Sequence, residues 1–98
     1  MDRATIIKRI KAKEAAIRKE GATHLYLFGS RARGDNKPAS DLDVYVDYDS
    51  GRKFSLLDLA GIKVLLEDEL GIVVHITTKS SLHPKLKKDI EAQSIRVF

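Results

Sequence analysis

Hydrophobic and polar residues follow two different periods along this chain, and the period changes where one predicted element gives way to the next. From Ala4 to Glu20, isoleucine and alanine recur at helical spacing among Lys, Arg and Glu, and Gly21 follows. This pattern is typical of an amphipathic helix that ends at a glycine. The next residues, Ala22–Phe28, form a short and mainly apolar run, which predicts a buried strand.

The same two periods predict four further elements. They are a strand from Asp41 to about Tyr48, a helix over Phe54–Leu70, a strand over Ile72–Thr77 and a short basic helix over Lys85–Gln93. Too few residues join the first two strands for a parallel crossover, whereas the helix between the second and third strands allows those two to be parallel neighbours. The order α-β-β-α-β-α therefore predicts an α/β (α+β) fold in which a small mixed sheet packs against helices.

Length and composition narrow the class of protein. The chain has 98 residues and no cysteine, so we expect a single domain over residues 1–98 with neither a disulfide framework nor a cysteine-ligated zinc site. No apolar run approaches the roughly 18 residues that span a bilayer, and we expect a cytoplasmic protein without a membrane partner. The net charge of +4 suits an anionic ligand, although a solvated lysine-rich surface explains it equally well.

The most informative stretch begins where the first predicted strand ends. Gly29 and Ser30 stop the apolar run in a sharp turn, and backbone N–H groups in such a turn become free to point at an anion. Arg31 and Arg33 add positive charge at the same place. We therefore predict a phosphate-binding turn at this point of the chain.

A pair of aspartates opens the second predicted strand. Asp41 and Asp43 are two residues apart, so their side chains lie on one face of the strand. Two carboxylates on a rigid face suit Mg²⁺, which completes its octahedron with water and substrate phosphates. A phosphate-binding turn beside such a site is what phosphoryl or nucleotidyl transfer requires. Tyr45 follows on the same face, where it could stack on a base or pack, and we expect packing.

The turn and the aspartates together resemble the signature of the DNA polymerase β-like nucleotidyltransferase superfamily. Gly29-Ser30 is followed after ten residues by Asp41-x-Asp43. The fuller string, Gly-Ser-x-Ala-Arg-Gly and then Ser-Asp-Leu-Asp before an apolar strand, is similar to the smallest branch, the minimal nucleotidyltransferases of bacteria and archaea. The resemblance covers essentially the whole chain and implies the nucleotidyltransferase fold.

The resemblance also implies a role for each matching residue. The implied nucleotide-binding residues are Gly29, Ser30, Arg31, Arg33 and Ser40, with the Gly-Ser turn on the β and γ phosphates of a nucleoside triphosphate, ATP being the expected one. The implied catalytic and metal-binding residues are Asp41 and Asp43, which would hold Mg²⁺ or, alternatively, Mn²⁺. Members of this branch are often encoded beside a HEPN-domain toxin that they neutralise, in some cases by attaching AMP to it, so the resemblance implies a HEPN-domain partner.

One position departs from the family pattern. The family commonly places a third carboxylate on the next strand, and the matching residue in this chain is His75. A neutral imidazole binds transition metals and can accept a proton near neutral pH, but it suits Mg²⁺ poorly. His75 therefore either weakens the enzyme or serves as a different ligand or base, and we favour the first alternative.

Three functions compete on this sequence. The first is a Mg²⁺-dependent nucleotidyltransferase that transfers AMP from ATP to a hydroxyl of a partner protein. The second is a catalytically weakened or purely protein-binding antitoxin that neutralises its partner by contact. The third is a nucleic-acid binder that uses the basic helices, and the aspartate pair argues against it because carboxylates repel phosphates unless a metal is present. The exposed edges of a small sheet and the apolar end Ile95–Phe98 are compatible with a homodimer or a hetero-oligomer.

Overall fold

Four strands form one mixed sheet, and helices pack on it. The computed structural model describes residues 1–98. The elements in chain order are α1 (Arg3–Lys11), α2 (Glu14–Lys19), β1 (Ala22–Phe28), α3 (Ser30–Arg33), β2 (Leu42–Tyr48), α4 (Leu56–Leu70), β3 (Val74–Thr78), a 3-10 helix (Lys79–Ser81), α5 (Pro84–Gln93) and β4 (Ile95–Arg96). No helix in the structure combines the length and the apolar character needed to cross a bilayer.

The strand order is β3-β2-β1-β4. The short connection makes β1 and β2 antiparallel, and the crossover through α4 makes β2 and β3 parallel. Both pairings confirm the prediction, and so does the mixed sheet. The sequence pattern did not reveal β4, which pairs antiparallel with β1 through Leu27 and Ile95. The backbone of Val97 continues this contact by donating to the carbonyl of Leu25.

The first predicted helix is two helices in the structure. A continuous helix over Ala4–Glu20 would place Lys13 and Glu14 on the stripe that also carries Ile10, because they follow it by three and four residues. The chain instead breaks at Ala12 and Lys13, where the amide of Lys13 donates to the carbonyl of Ile10. The break keeps the charged side chains out of the core, and Lys13 pairs with Glu69.

The core lies on one face of the sheet. Alternate residues of β1 and β2 point to this face, and those in its middle are fully buried: Leu25, Leu27, Leu42, Val44 and Val46. They pack against the buried side of the N-terminal helices and of α4, which consists of Ile6, Ile10, Ile17, Ile62, Leu66 and Leu70. Helix α4 begins two residues later than predicted, after a capping box formed by Ser55 and Asp58, and ends at Gly71 in the left-handed conformation.

The opposite face of the sheet is only partly covered. Tyr45 is the buried residue on this face, and its ring stacks on that of Tyr26 at 4.7 Å between centroids. Its hydroxyl hydrogen-bonds the Ser94 hydroxyl at 2.7 Å, just after the end of α5. Packing rather than exposure of Tyr45 is thereby confirmed. Because no residue of α5 is itself buried, this helix lies against the sheet without closing it over.

Candidate active site

The Gly-Ser turn lies directly against a carboxylate of β2. Gly29 adopts φ +73°, a left-handed conformation that favours glycine, and it precedes the short helix α3. A Cβ atom at Gly29 would collide with the carboxylate of Asp43. The first N–H groups of a helix have no acceptor within that helix, so the turn presents backbone donors within reach of this carboxylate. The anion-binding element and the cation-binding element predicted from the sequence therefore meet at one place.

A histidine from the neighbouring strand lies beside the two aspartates. In the parallel pair, Asp43 of β2 stands opposite His75 of β3. The imidazole Nε2 of His75 and a carboxylate oxygen of Asp41 share a hydrogen bond of 2.8 Å. Both side chains are open to solvent, with 61% of His75 and 48% of Asp41 exposed. The structure thus brings His75 into the site, at the strand position where the family resemblance expects a third carboxylate.

Burial raises the pKa of the Asp43 carboxyl above its ordinary value, and the neighbouring carboxylate of Asp41 raises it further. A positive charge on the His75 imidazole, when it is protonated, and the charge of the Arg33 guanidinium oppose this rise. The ionised form of Asp43 is therefore disfavoured where it stands. A cation beside it would favour the charged form, because opposite charges at close range stabilise each other more where water is partly excluded.

The side chains fit a Mg²⁺ ion only together with a substrate. No group of three or more His, Cys, Asp or Glu side chains converges in a way that could hold a metal ion. Asp41 and Asp43 offer two carboxylates, and the His75 nitrogen nearest to them is engaged with Asp41. Mg²⁺ is commonly bound by one or two carboxylates and by the oxygens of phosphates and water. The donor set is therefore suited to Mg²⁺ carried in with a nucleotide.

Arg31 corrects one expectation from the sequence. It was expected to contact phosphate, but its side chain is 3% exposed. The guanidinium donates to the carbonyls of Ser40 (3.0 and 2.8 Å), Pro38 (3.3 Å) and Met1 (3.4 Å). Since its donors already have acceptors away from the open face, Arg31 holds the loop between the turn and β2 in place.

Arg33 and Ser40 differ in where they point. Arg33 is 46% exposed and pairs with Asp35 at 3.1 Å, so its guanidinium can exchange this exposed carboxylate for a phosphate. The Ser40 hydroxyl accepts a hydrogen bond from the amide of Lys37 at 2.8 Å, which makes it part of the loop's own turn. A direct contact between Ser40 and a nucleotide stays a prediction.

The structure contains a groove beside the turn that the sequence did not predict. It encloses about 250 Å³ between the end of β1, the turn and helix α5. The residues that line it are Phe28, Gly29, Arg33, Leu86, Asp89, Ile90 and Gln93. The four residues from α5 follow the spacing i, i+3, i+4, i+7, which places them on one helix face. That spacing was visible in the sequence, but nothing there showed what the face would meet.

Comparison with known proteins agrees with this geometry. The family model described as a nucleotidyltransferase domain matches residues 9–97. The chain belongs to this family. A Methanocaldococcus jannaschii protein named "Putative protein adenylyltransferase" is 40% identical over 94 residues, which cover 93% of this chain and 94% of that protein. The protein adenylyltransferase MntA of Thermococcus cleftensis is 34% identical over 77 residues, covering 79% of this chain and 76% of the relative.

Solved structures show the same fold. A structure described as that of a "putative minimal nucleotidyltransferase" has a TM-score of 0.82 and 37% identity, and the match covers 97% of this chain and 95% of the other. A chain in a toxin-antitoxin crystal structure with AMP-PNP has a TM-score of 0.71 at 20% identity, covering all of this chain and 73% of the other. The nucleotidyltransferase fold and membership in the minimal branch are thereby confirmed.

Proposed function

We propose that this minimal nucleotidyltransferase transfers AMP from ATP to a hydroxyl of a partner protein in a reaction that depends on Mg²⁺. The observation that carries the proposal is the contact between Gly29 and Asp43. It brings the N–H groups that suit phosphates against a carboxylate that suits a divalent cation. The curated relatives at 40% and 34% identity are named as protein adenylyltransferases, which favours AMP as the group transferred and a protein as the acceptor.

Each residue of the site has a separate task in this reaction. The backbone at Gly29 and Ser30 holds the phosphates that will leave, and Arg33 adds a mobile positive charge beside them. Asp41 and Asp43 would hold Mg²⁺, which when bound polarises the phosphate oxygens and neutralises developing charge. The acceptor oxygen forms its bond to the α-phosphorus while the bond to the β-phosphate oxygen breaks, and pyrophosphate leaves. The hydroxyl proton passes to solvent or to a neutral His75 imidazole.

The proposed acceptor is a HEPN-domain toxin. Two observations support this partner. The Thermococcus cleftensis relative carries the name MntA, and chains with the same fold occur in solved toxin-antitoxin structures. The exposed position of the Asp41–His75 pair leaves the open face of the sheet accessible to a second protein.

A second function is favoured by one observation. His75 stands where a carboxylate is expected, and no three-ligand metal cluster forms around it. In this alternative the chain binds nucleotide weakly or not at all and neutralises its partner by contact alone. The two functions differ in whether the partner becomes chemically modified.

The experiment is to incubate the protein with α-labelled ATP, Mg²⁺ and the protein encoded by the adjacent gene. We expect the label to appear on the partner and to disappear when EDTA is added or when Asp43→Asn replaces the parent. Asp68→Asn is the matched control, because it makes the same change at an exposed aspartate of α4. Neutralisation of the toxin without transferred label would favour the second function.

A further inference from the structure

The groove beside the turn is continuous with the proposed phosphate site. Gly29 and Arg33 belong to both, since they line the groove and also stand immediately before the start and at the end of the one-turn helix α3. A nucleotide with its phosphates at this turn would therefore lie next to the groove.

The walls of the groove combine apolar surface with a few polar groups. Phe28 forms the wall on the side of the sheet, and Leu86 and Ile90 face it from α5. Leu86 is 55% exposed, which leaves an apolar side chain in water at the mouth of a concave surface. Asp89 and Gln93 supply the polar groups. Sites for small organic ligands typically have this composition, with apolar walls and few polar groups that fix orientation.

We propose that this groove binds the nucleobase of the nucleotide and that Gln93 and Asp89 select adenine. The inference rests on the proposed function, because it takes the phosphates to lie at Gly29 and Ser30. The volume of about 250 Å³ is slightly below the range of about 300–1,000 Å³ for whole drug-sized ligands, so it suits a base better than an entire nucleotide. An aromatic ring such as that of Phe28 offers a surface on which any base can pack.

The polar side chains match the edge of adenine. A glutamine amide offers one donor and one acceptor side by side, which pair with a ring nitrogen and the exocyclic amine of adenine. The carboxylate of Asp89 can only accept, and the same amine is a donor. Guanine carries a carbonyl at the position of the adenine amine, so it offers an acceptor where Asp89 and the Gln93 oxygen need a donor. Uracil and cytosine have one ring less to cover the apolar walls.

The test separates the base from the phosphates. Calorimetry with Mg²⁺ measures the affinity of the parent for ATP, GTP, UTP and inorganic tripolyphosphate, and then of Leu86→Ala and Gln93→Ala for the same ligands. Val64→Ala is the matched control, since Val64 is an apolar residue of α4 with almost the same exposure (54%) that does not line the groove. All three side chains are exposed, so the variants keep the fold, which circular dichroism verifies.

We expect Leu86→Ala to weaken ATP binding roughly tenfold, which corresponds to about 1.4 kcal/mol, and to leave tripolyphosphate binding unchanged. Gln93→Ala should reduce the preference for ATP over GTP and UTP, and Val64→Ala should change nothing. If the variants bind ATP as tightly as the parent does, the base assignment is overturned and the proposed function stands. The same conclusion follows if Leu86→Ala loses affinity for ATP and for tripolyphosphate to the same extent.

Two other results also decide against the assignment. Tighter parent binding of GTP than of ATP would refute the selection of adenine. A loss of affinity for the partner protein in Leu86→Ala with unchanged ATP affinity would make the groove a protein contact instead. A parent that binds neither ATP nor tripolyphosphate would refute the phosphate site itself, and the proposed function would fall with it.

Discussion

The two faces of the sheet differ in how completely they are covered. On the core face, Leu27 and Val44 are fully buried among the helices. On the other face, Asp43 of the same central strand β2 is half-buried, and His75 of the edge strand β3 is exposed. Because neighbouring residues of a strand point to opposite faces, two adjacent positions serve stability and chemistry separately. Substitutions on one face should therefore leave the property of the other nearly unchanged.

The largest effect is expected on the core face. Leu27→Ala removes a fully buried side chain from the central strand β1, and such truncations cost about 2–5 kcal/mol. Urea denaturation measures the free energy of unfolding. Nucleotide affinity of the folded fraction should match that of the parent, and a parallel loss of both would show that the faces are not independent.

Substitution of the two aspartates should instead reduce nucleotide binding and leave stability intact. Asp41→Asn combined with Asp43→Asn should weaken Mg²⁺-dependent ATP binding by at least about 100-fold, or about 2.7 kcal/mol. The free energy of unfolding should stay the same or rise, because burial and the repulsion between the two carboxylates disfavour the ionised Asp43. Calorimetry and thermal denaturation check both parts. Unchanged affinity in the double variant would remove the metal site from this face.

A pair of glycine variants sharpens the comparison further. Gly29 and Gly71 both have a positive φ (+73° and +69°), but Gly29 combines it with ψ −157°, a region almost restricted to glycine, whereas Gly71 lies in the left-handed helical region at ψ 22°. Alanine therefore costs more backbone strain at Gly29, on the order of 1–3 kcal/mol. Only at Gly29 does the new Cβ meet the Asp43 carboxylate. We expect Gly29→Ala to weaken ATP binding about tenfold more than Gly71→Ala does. Similar binding by both variants would place the phosphates elsewhere.

His75 separates the two candidate functions. If the position has only lost a carboxylate, His75→Asp should increase the label transferred with Mg²⁺, and His75→Ala should change it little. The contact with Asp41 makes both variants informative, since each frees that carboxylate from the imidazole. A strong parent activity that both variants lose, while circular dichroism shows intact folds, would make the imidazole itself a ligand or base.

The smallest effect is expected at Glu67, which accepts a hydrogen bond from the first residue of β3. Glu67 accepts from the Lys63 ammonium and from the amide of Val74, and these hydrogen bonds lower the pKa of its carboxyl. Its contribution to stability is therefore present above about pH 4.5 and is lost as the pH falls through its lowered folded-state pKa. Glu67→Gln should be slightly less stable than the parent at pH 7, and the difference should become smaller as the pH is lowered to 3. An equal gap at both values would exclude ionisation of Glu67 as the cause.

Most of the fold was predictable because its strong signals are local. The bounds of β1 and the C-terminal bound of α4 agree with the structure, since an apolar run between turns and a glycine after a helix act over a few residues. The break between α1 and α2 and the two-residue strand β4 were not foreseen. Both depend on partners distant in sequence, such as Glu69 for Lys13 and Leu27 for Ile95.

The candidate site was predictable in composition but not in arrangement. Spacing alone places Asp41 and Asp43 together, whereas their distance from the turn depends on how β1 and β2 pair. The inward course of Arg31 could not be foreseen, because a charged residue in a turn is usually exposed. The groove along α5 was also missed, since it exists only where that helix meets Phe28 and Gly29.

Arg31 has a consequence for the order of events when a nucleotide arrives. Its guanidinium ties the loop between the turn and β2 to backbone carbonyls through hydrogen bonds that involve only the chain itself. No segment of this loop has to fold during the encounter, so the entropy of ordering it is lost once, in folding, and not in every catalytic cycle. Association should accordingly follow ligand concentration linearly, without a slow closing step. Lysine could not replace this residue, because a single ammonium lacks the planar fork that reaches several carbonyls at once.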